Sequence, residues 1–225
     1  MFYRLYHEEN YLGADWADGM DLEQIICPKD KHHRRGGKRI GDLMIELPSP
    51  NIRDFIWIVF GGECLITDKV AGLFKEAGFT GYELKPVTVK KVKRMGKEPK
   101  PIPQLWEMVI TGWAGMAPPE SGIKLIDSCE ACGGLEYSGI TNLSALINPS
   151  QWDGSDFFMV WPMPRFIFVT EKVKHFVEEK KLTGCQFIRV EDLSPTAVDG
   201  FGPGRLSYHM PESRARLLGE PLGIY

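Results

Sequence analysis

The chain has 225 residues, 43% of them hydrophobic and 25% charged, with a formal net charge of −3. Such a composition is ordinary for a globular protein with a sizeable core, and the length suits one large domain or two small ones. The charge excludes a general polyanion binder, no run approaches the roughly 20 apolar residues of a membrane span, and five cysteines are too sparse for a disulfide framework.

The opening MFYRLYHEEN lacks a basic segment followed by an apolar one, so no secretory signal is expected and the expected location is the reducing cytoplasm. Acidic side chains gather early, at Glu8, Glu9, Asp15, Asp18, Asp21 and Glu23. Cys27 then opens CPKDKHH, which leads into the basic stretch KDKHHRRGGKR (29–39). DFIWIVF (54–60) is short, β-branched and aromatic, which predicts a strand. Thr67 stands at an N-cap position before Asp68, and Val70, Leu73, Phe74 and Ala77 have helical spacing, with Gly78 as a stop. GYELKPVTV (81–89) returns as a strand, and the basic run KPVTVKKVKRMGKEPKPIP (85–103) reads as an exposed linker or a long hairpin closed by prolines. LWEMVITGW (105–113) is a further strand. DSCEACGGLEY (127–137) carries Cys129-x-x-Cys132 and two glycines. In SQWDGSDFFMVWPMPRFIFVTEKV (150–173), Asp153 and Asp156 flank a Gly154-Ser155 turn, and the aromatic run ends in the strand RFIFVT. Thr170 caps a second helix built on Val173, Phe176 and Val177, and CQFIRV (185–190) follows as a strand. The Gly/Pro-rich tail, 194–225, is expected to be irregular, with one short helix at ESRARLL.

Two of these segments resemble each other. LITDKVAGLFKEAGFTGYELKPV (65–87) aligns with FVTEKVKHFVEEKKLTGCQFIRV (168–190) at a shift of 103, with seven of twenty-three positions identical. Unrelated segments share about one residue in seventeen. At a shift of 102, Asp54-Phe55 falls on Asp156-Phe157 and Cys27 on Cys129, while the slot matching Cys132 holds Asp30. The expected fold is therefore α+β: one compact unit of two related strand–helix–strand halves, about 22–90 and 124–193, each opened by a Cys knuckle.

Two intact Cys-x-x-Cys knuckles supply four thiolates for a tetrahedral zinc ion, and the glycine after the second cysteine lets backbone amides turn toward sulfur. Here the first knuckle has lost one thiolate, so a zinc site rests on Cys27, Cys129 and Cys132, completed by Asp30 or His32, with His33 also near; two thiols left from an ancestral site would read the same. A thioredoxin-like redox motif would open a helix after a buried strand, and this one runs into glycine. The aspartates of DGSD read as turn caps rather than an acid–base pair, for want of partners. No Gly-x-Ser-x-Gly elbow, P-loop or His-Glu-x-x-His occurs, so no catalytic residue is assigned.

Several stretches resemble the myxobacterial double-CxxCG motif proteins, a paralogous set that includes SitI-type immunity proteins. These are CPKD, IRDFIWIVFGGECLITDKVAGLF, GFTGYELKPV, CEACG, QWDGSDFFMVWPMPRFIFVTEKV and LTGCQF, and they extend over nearly the whole chain to about Val190. The departure is Asp30, where the family pattern has cysteine. The resemblance implies a non-catalytic cytoplasmic protein that binds and neutralises one cognate toxin, without a membrane or nucleic-acid partner. The alternative is a zinc-ribbon-like nucleic-acid-binding regulator using the knuckles and basic stretches; an enzyme ranks last.

Overall fold

The computed structural model describes residues 1–9, 13–59, 62–94, 101–193 and 200–225, with Gly200 and Phe201 as backbone only. Phe60, residues 95–100 of the basic run and 194–199 of the tail lie outside the described residues. The fold is α+β and mostly strand, in one compact body.

In chain order the strands of the first part are β1 (Phe2–Tyr6), β2 (Asp15–Trp16), β3 (Leu22–Ile26), β4 (Arg34–Arg39), β5 (Met44–Leu47), β6 (Phe55–Trp57) and β7 (Cys64–Thr67). Helix α1 (Asp68–Glu76) and strand β8 (Tyr82–Val92) follow. The second part holds β9 (Leu105–Ile110), β10 (Trp113–Met116), β11 (Leu125–Cys129), β12 (Gly134–Ser138), β13 (Phe157–Trp161), β14 (Met163–Thr170), α2 (Glu171–Glu179) and β15 (Gln186–Arg189). The tail adds β16 (Gly200–Phe201) and α3 (Glu212–Gly219), the latter on ESRARLL as expected. Two sheets carry the core, one ordered β2-β5-β8-β9-β7-β6 and the other β10-β13-β14-β1-β15. A three-stranded sheet, β11-β12-β16, and the hairpin β3-β4 lie apart from them. Of the basic run, residues 85–92 belong to β8, which pairs antiparallel with β9 from Tyr82↔Ile110 to Val87↔Leu105 and parallel with β5 beyond.

The sequence repeat has a geometric counterpart. In the first sheet the hairpin β6–β7 pairs Phe55 with Ile66; in the second, β13–β14 pairs Phe157 with Val169. Each hairpin feeds a helix and then a strand that returns to the same sheet. A gap remains between hairpin and returning strand, and a strand from elsewhere in the chain fills it. β9 lies between β7 and β8, and β1 between β14 and β15. Leu105 faces Thr67 as Phe2 faces Thr170, and Met108 faces Leu84 as Leu5 faces Phe187. β1 is not among the strands expected from the sequence, although its alternating burial, with Tyr3 and Leu5 inward, is the period-2 signal of a half-buried strand.

Reciprocal latches tie the two hairpins to the turns that follow the helices. Thr80 donates its N–H and hydroxyl to Asp156 Oδ2 (3.0 and 3.2 Å), and Thr183 does the same to Asp54 Oδ2 (2.9 and 3.0 Å). Phe157 N–H donates to Thr80 O at 3.0 Å and Phe55 N–H to Thr183 O at 2.9 Å. The glycine after each threonine lets this happen. Gly81 has φ +90° and Gly184 φ +92°, and a Cβ on either would lie 1.9 Å from Phe157 O or 2.2 Å from Phe55 O. Phe74, Phe79, Phe157 and Phe176 then meet at ring separations of 5.1–6.2 Å between the two helices and the sheets.

Thr67 and Thr170 occupy the N-cap positions as expected, yet neither hydroxyl caps its helix. Thr170 Oγ1 is turned to Asp156 Oδ1 at 3.3 Å, so the latch takes the group that a cap would have used. Asp153 caps its own turn through Ser155 N–H and Oγ, and its other oxygen holds Trp113 N–H and Arg214.

The tail packs back with a titratable group inside it. His209 Nε2 lies 2.8 Å from Pro203 O. Burial pushes the imidazole down to about 4, with Arg165 adding to the effect and the Pro203 carbonyl opposing it. The ring is thus neutral in the fold at pH values where the unfolded chain, near 6.5, takes a proton. Stability from this site is full above about pH 6.5 and falls as pH drops through the folded value, by roughly 3 kcal/mol in all. Urea unfolding at pH 7 and pH 4.5 checks this. In His209→Gln, which keeps a donor without titrating, the acid loss should shrink by a comparable amount; an equal loss in both proteins would exclude the assignment.

Candidate metal centre

Two hairpins of similar build bring the cysteines together. In β3–β4, Ile26 pairs with Arg34, and Cys27 N–H donates to His33 O at 3.1 Å, so Cys27 and His33 face each other across the tip. In β11–β12, Cys129 pairs with Gly134, and Gly133 N–H donates to Cys129 O at 2.6 Å around a tip that holds Cys132. Gly133 has φ +68° and lies so close to Arg205 that a Cβ would fall 1.9 Å from its Nη2. That contact and that φ account for the first glycine of CEACGG.

The ligating atoms of Cys27, His33, Cys129 and Cys132 all lie within 4.8 Å of one another. Cys27 Sγ is 3.7 Å from Cys129 Sγ, and His33 Nδ1 is 3.7 Å from Cys132 Sγ. A tetrahedral ion with Zn–S near 2.3 Å and Zn–N near 2.0–2.1 Å requires ligand–ligand edges of roughly 3.5–3.8 Å. The four groups therefore suit a zinc ion in donor type and number, and the Cys27–Cys129 and His33–Cys132 edges match its spacing. Four protein ligands form the closed set of a structural site, whereas a catalytic zinc keeps an open position.

The fourth ligand corrects the sequence expectation. Asp30 and His32 are both exposed and outside the cluster, and His33 completes it. Asp30 Oδ1 accepts from His32 N–H at 2.9 Å, and Asp30 O accepts from His33 N–H at 3.0 Å, so Asp30 shapes the tip instead of ligating. The β3–β4 tip is longer than a Cys-x-x-Cys tip, which moves the second ligand from the third position after Cys27 to the sixth. The signal available in the sequence was the His32-His33 pair at the start of a strand, where only alternate side chains face one side.

Electrostatics prepare the site for a cation. Arg35 Nη1 donates to Cys132 Sγ at 3.0 Å, and Nη2 donates to Cys132 O. Partial burial opposes ionisation of Cys132, but Arg35, the Gly134 N–H and the neighbouring thiols outweigh it and bring the group down to about 6. The Cys132 amide favours the Cys129 thiolate, yet the hydrogen bond with Cys132, partial burial and Cys27 together leave Cys129 raised. Metal ligation requires thiolates, and one of the three is favoured before any ion arrives.

Of the rest of the basic stretch, Arg39 is turned inward, while Lys29, Lys31, Arg34 and Lys38 are exposed. Arg39 reaches the buried Glu107 with two bonds, 2.8 and 2.6 Å, and Glu63 at 3.4 Å; Lys38 lies 3.9 Å from Glu212. Burial raises Glu63, only partly offset by Arg39. Comparison with protein-family models and with curated proteins finds no match to this chain.

Proposed function

We propose that the chain is a non-catalytic binding protein whose two hairpin knuckles are stapled by one zinc ion, and that it captures and neutralises a cognate toxin in the cytoplasm, as the resemblance to SitI-type immunity proteins implies. The observation that carries the metal half of this reading is the closed Cys27–His33–Cys129–Cys132 set, which spends its donors on holding two hairpins together. When bound, zinc supplies cross-linking and charge neutralisation. The zinc-ribbon-like pairing of knuckles is read as one product of a duplication, with β1 and β9 as the first strands of the two copies, each lodged in the sheet of the other. Three features support it: the near-constant spacing of 102–103, the matched registers and the mirrored latches.

Binding a toxin quickly calls for a charged contact face. Strand β8 exposes Lys85, Lys90 and Lys91, a basic strip suited to an acidic partner surface. The inward use of Arg35 and Arg39 removes two cations from the basic stretch that the nucleic-acid alternative would place on phosphates, while Lys29, Lys31, Arg34 and Lys38 stay exposed. Co-expression with the toxin encoded next to it should restore growth of a sensitive host, and the two chains should co-purify. The double variant Lys90→Glu, Lys91→Glu should slow association about tenfold or more and flatten its salt dependence. Persistent growth arrest, or tight binding of DNA or RNA by the partner-free protein at physiological salt, would contradict the reading.

A further inference from the structure

Arg35 is half-buried on β4, and its polar contacts go to one residue, the sulfur and the carbonyl oxygen of Cys132. Its Nε is buried without a partner, and among the described residues no carboxylate forms an ion pair with it. A guanidinium drawn out of water needs a counter-charge, and a neutral thiol does not provide one. Three thiolates, one neutral imidazole and a divalent ion carry a formal charge of −1, which a single guanidinium cancels. Gly134 makes the approach possible: a Cβ there would lie 2.8 Å from Arg35 Nη1 and 3.2 Å from His33 Cε1. The second glycine of CEACGG thereby leaves room for both the guanidinium and the imidazole.

We propose that Arg35 is the charge-compensating and positioning residue of the metal centre, matching a three-thiolate, one-histidine set to a divalent cation of the zinc class. The inference rests on the zinc reading above. Its fork fixes Cys132 by bonding sulfur and carbonyl together, which a lysine, a single point charge, does not reproduce.

The test loads the full-length reduced protein with Co²⁺ and Zn²⁺. Chelator competition gives the dissociation constant, and the thiolate-to-cobalt charge-transfer band reports the sulfur electronics. Arg35→Met should weaken binding about 10–100-fold. It should also move the band to longer wavelength, because a thiolate without its donor gives up an electron to cobalt at lower energy. Arg35→Lys should fall between the two. Gly134→Ala, which displaces the guanidinium from the other side, should weaken binding as well. The melting temperature of the metal-free proteins separates this role from plain packing, since packing alone would lower it without moving the band of the loaded site. If Arg35→Met does not fold, the lysine and alanine variants carry the same comparison. A wild-type protein that takes up neither ion overturns the zinc reading and this inference with it. A wild-type protein that loads one ion while the foldable variants load with equal affinity and an unshifted band overturns the role of Arg35 alone.

Discussion

Alanine at Gly81 is expected to destabilise the protein by roughly 3–5 kcal/mol, a large share of the ~5–15 kcal/mol that keeps a typical domain folded. Two costs add. The backbone at φ +90° is one that L side chains rarely adopt, and the new Cβ would sit 1.9 Å from Phe157 O and 2.7 Å from Ser155 Cβ. Neither neighbour is the far end of a flexible side chain, so relief requires the Thr80–Asp156 latch to open. Gly184→Ala, whose Cβ would meet Phe55 O at 2.2 Å, should behave alike. Gly78 is the control: its φ is +66° but nothing lies within 4 Å of the place a Cβ would take, so Gly78→Ala should cost only about 1–2 kcal/mol. Urea midpoints at constant m-value rank the three. Equal, small losses at all three positions would mean that the latches do not hold the fold together.

Removal of the metal should produce the second large effect. An ion held at a thousand times its dissociation constant stabilises the fold by about 4 kcal/mol, worth on the order of 10 °C in melting temperature for a chain of this size. Excess chelator under reducing conditions should remove that increment from the wild type. Cys129→Ser should show the lowered temperature from the start and no further response to chelator. A wild type whose melting curve ignores both zinc and chelator would deprive the cluster of a structural role.

The parts of this fold that were legible in the sequence are those set by nearby residues. The helical spacing of Val70 and Phe74, and of Val173 and Val177, gave both helices, and Thr-Gly marked the turns that become the latches. What escaped depends on partners far along the chain. β1 gains its meaning only between β14 and β15, and the burial of Glu107 only from Arg39 on another strand. At the candidate metal centre the three cysteines were legible because thiol spacing is a chemical signature. The histidine was misplaced by a residue because the length of the hairpin tip, set by Asp30, decides which side chain turns inward. Arg35 could not be read at all: in the sequence it is one cation in a basic run, and only the tertiary approach to Cys132 sets it apart from its neighbours.

Native mass spectrometry of the reduced, zinc-supplemented protein, with elemental analysis of the same sample, tests the central claim most directly. The account predicts one zinc ion per chain, retained through buffer exchange and lost in Cys129→Ser and in His33→Ala, but retained in His32→Ala and Asp30→Asn. A wild-type chain that carries no zinc, or one whose zinc survives His33→Ala and disappears with Asp30→Asn, would contradict it.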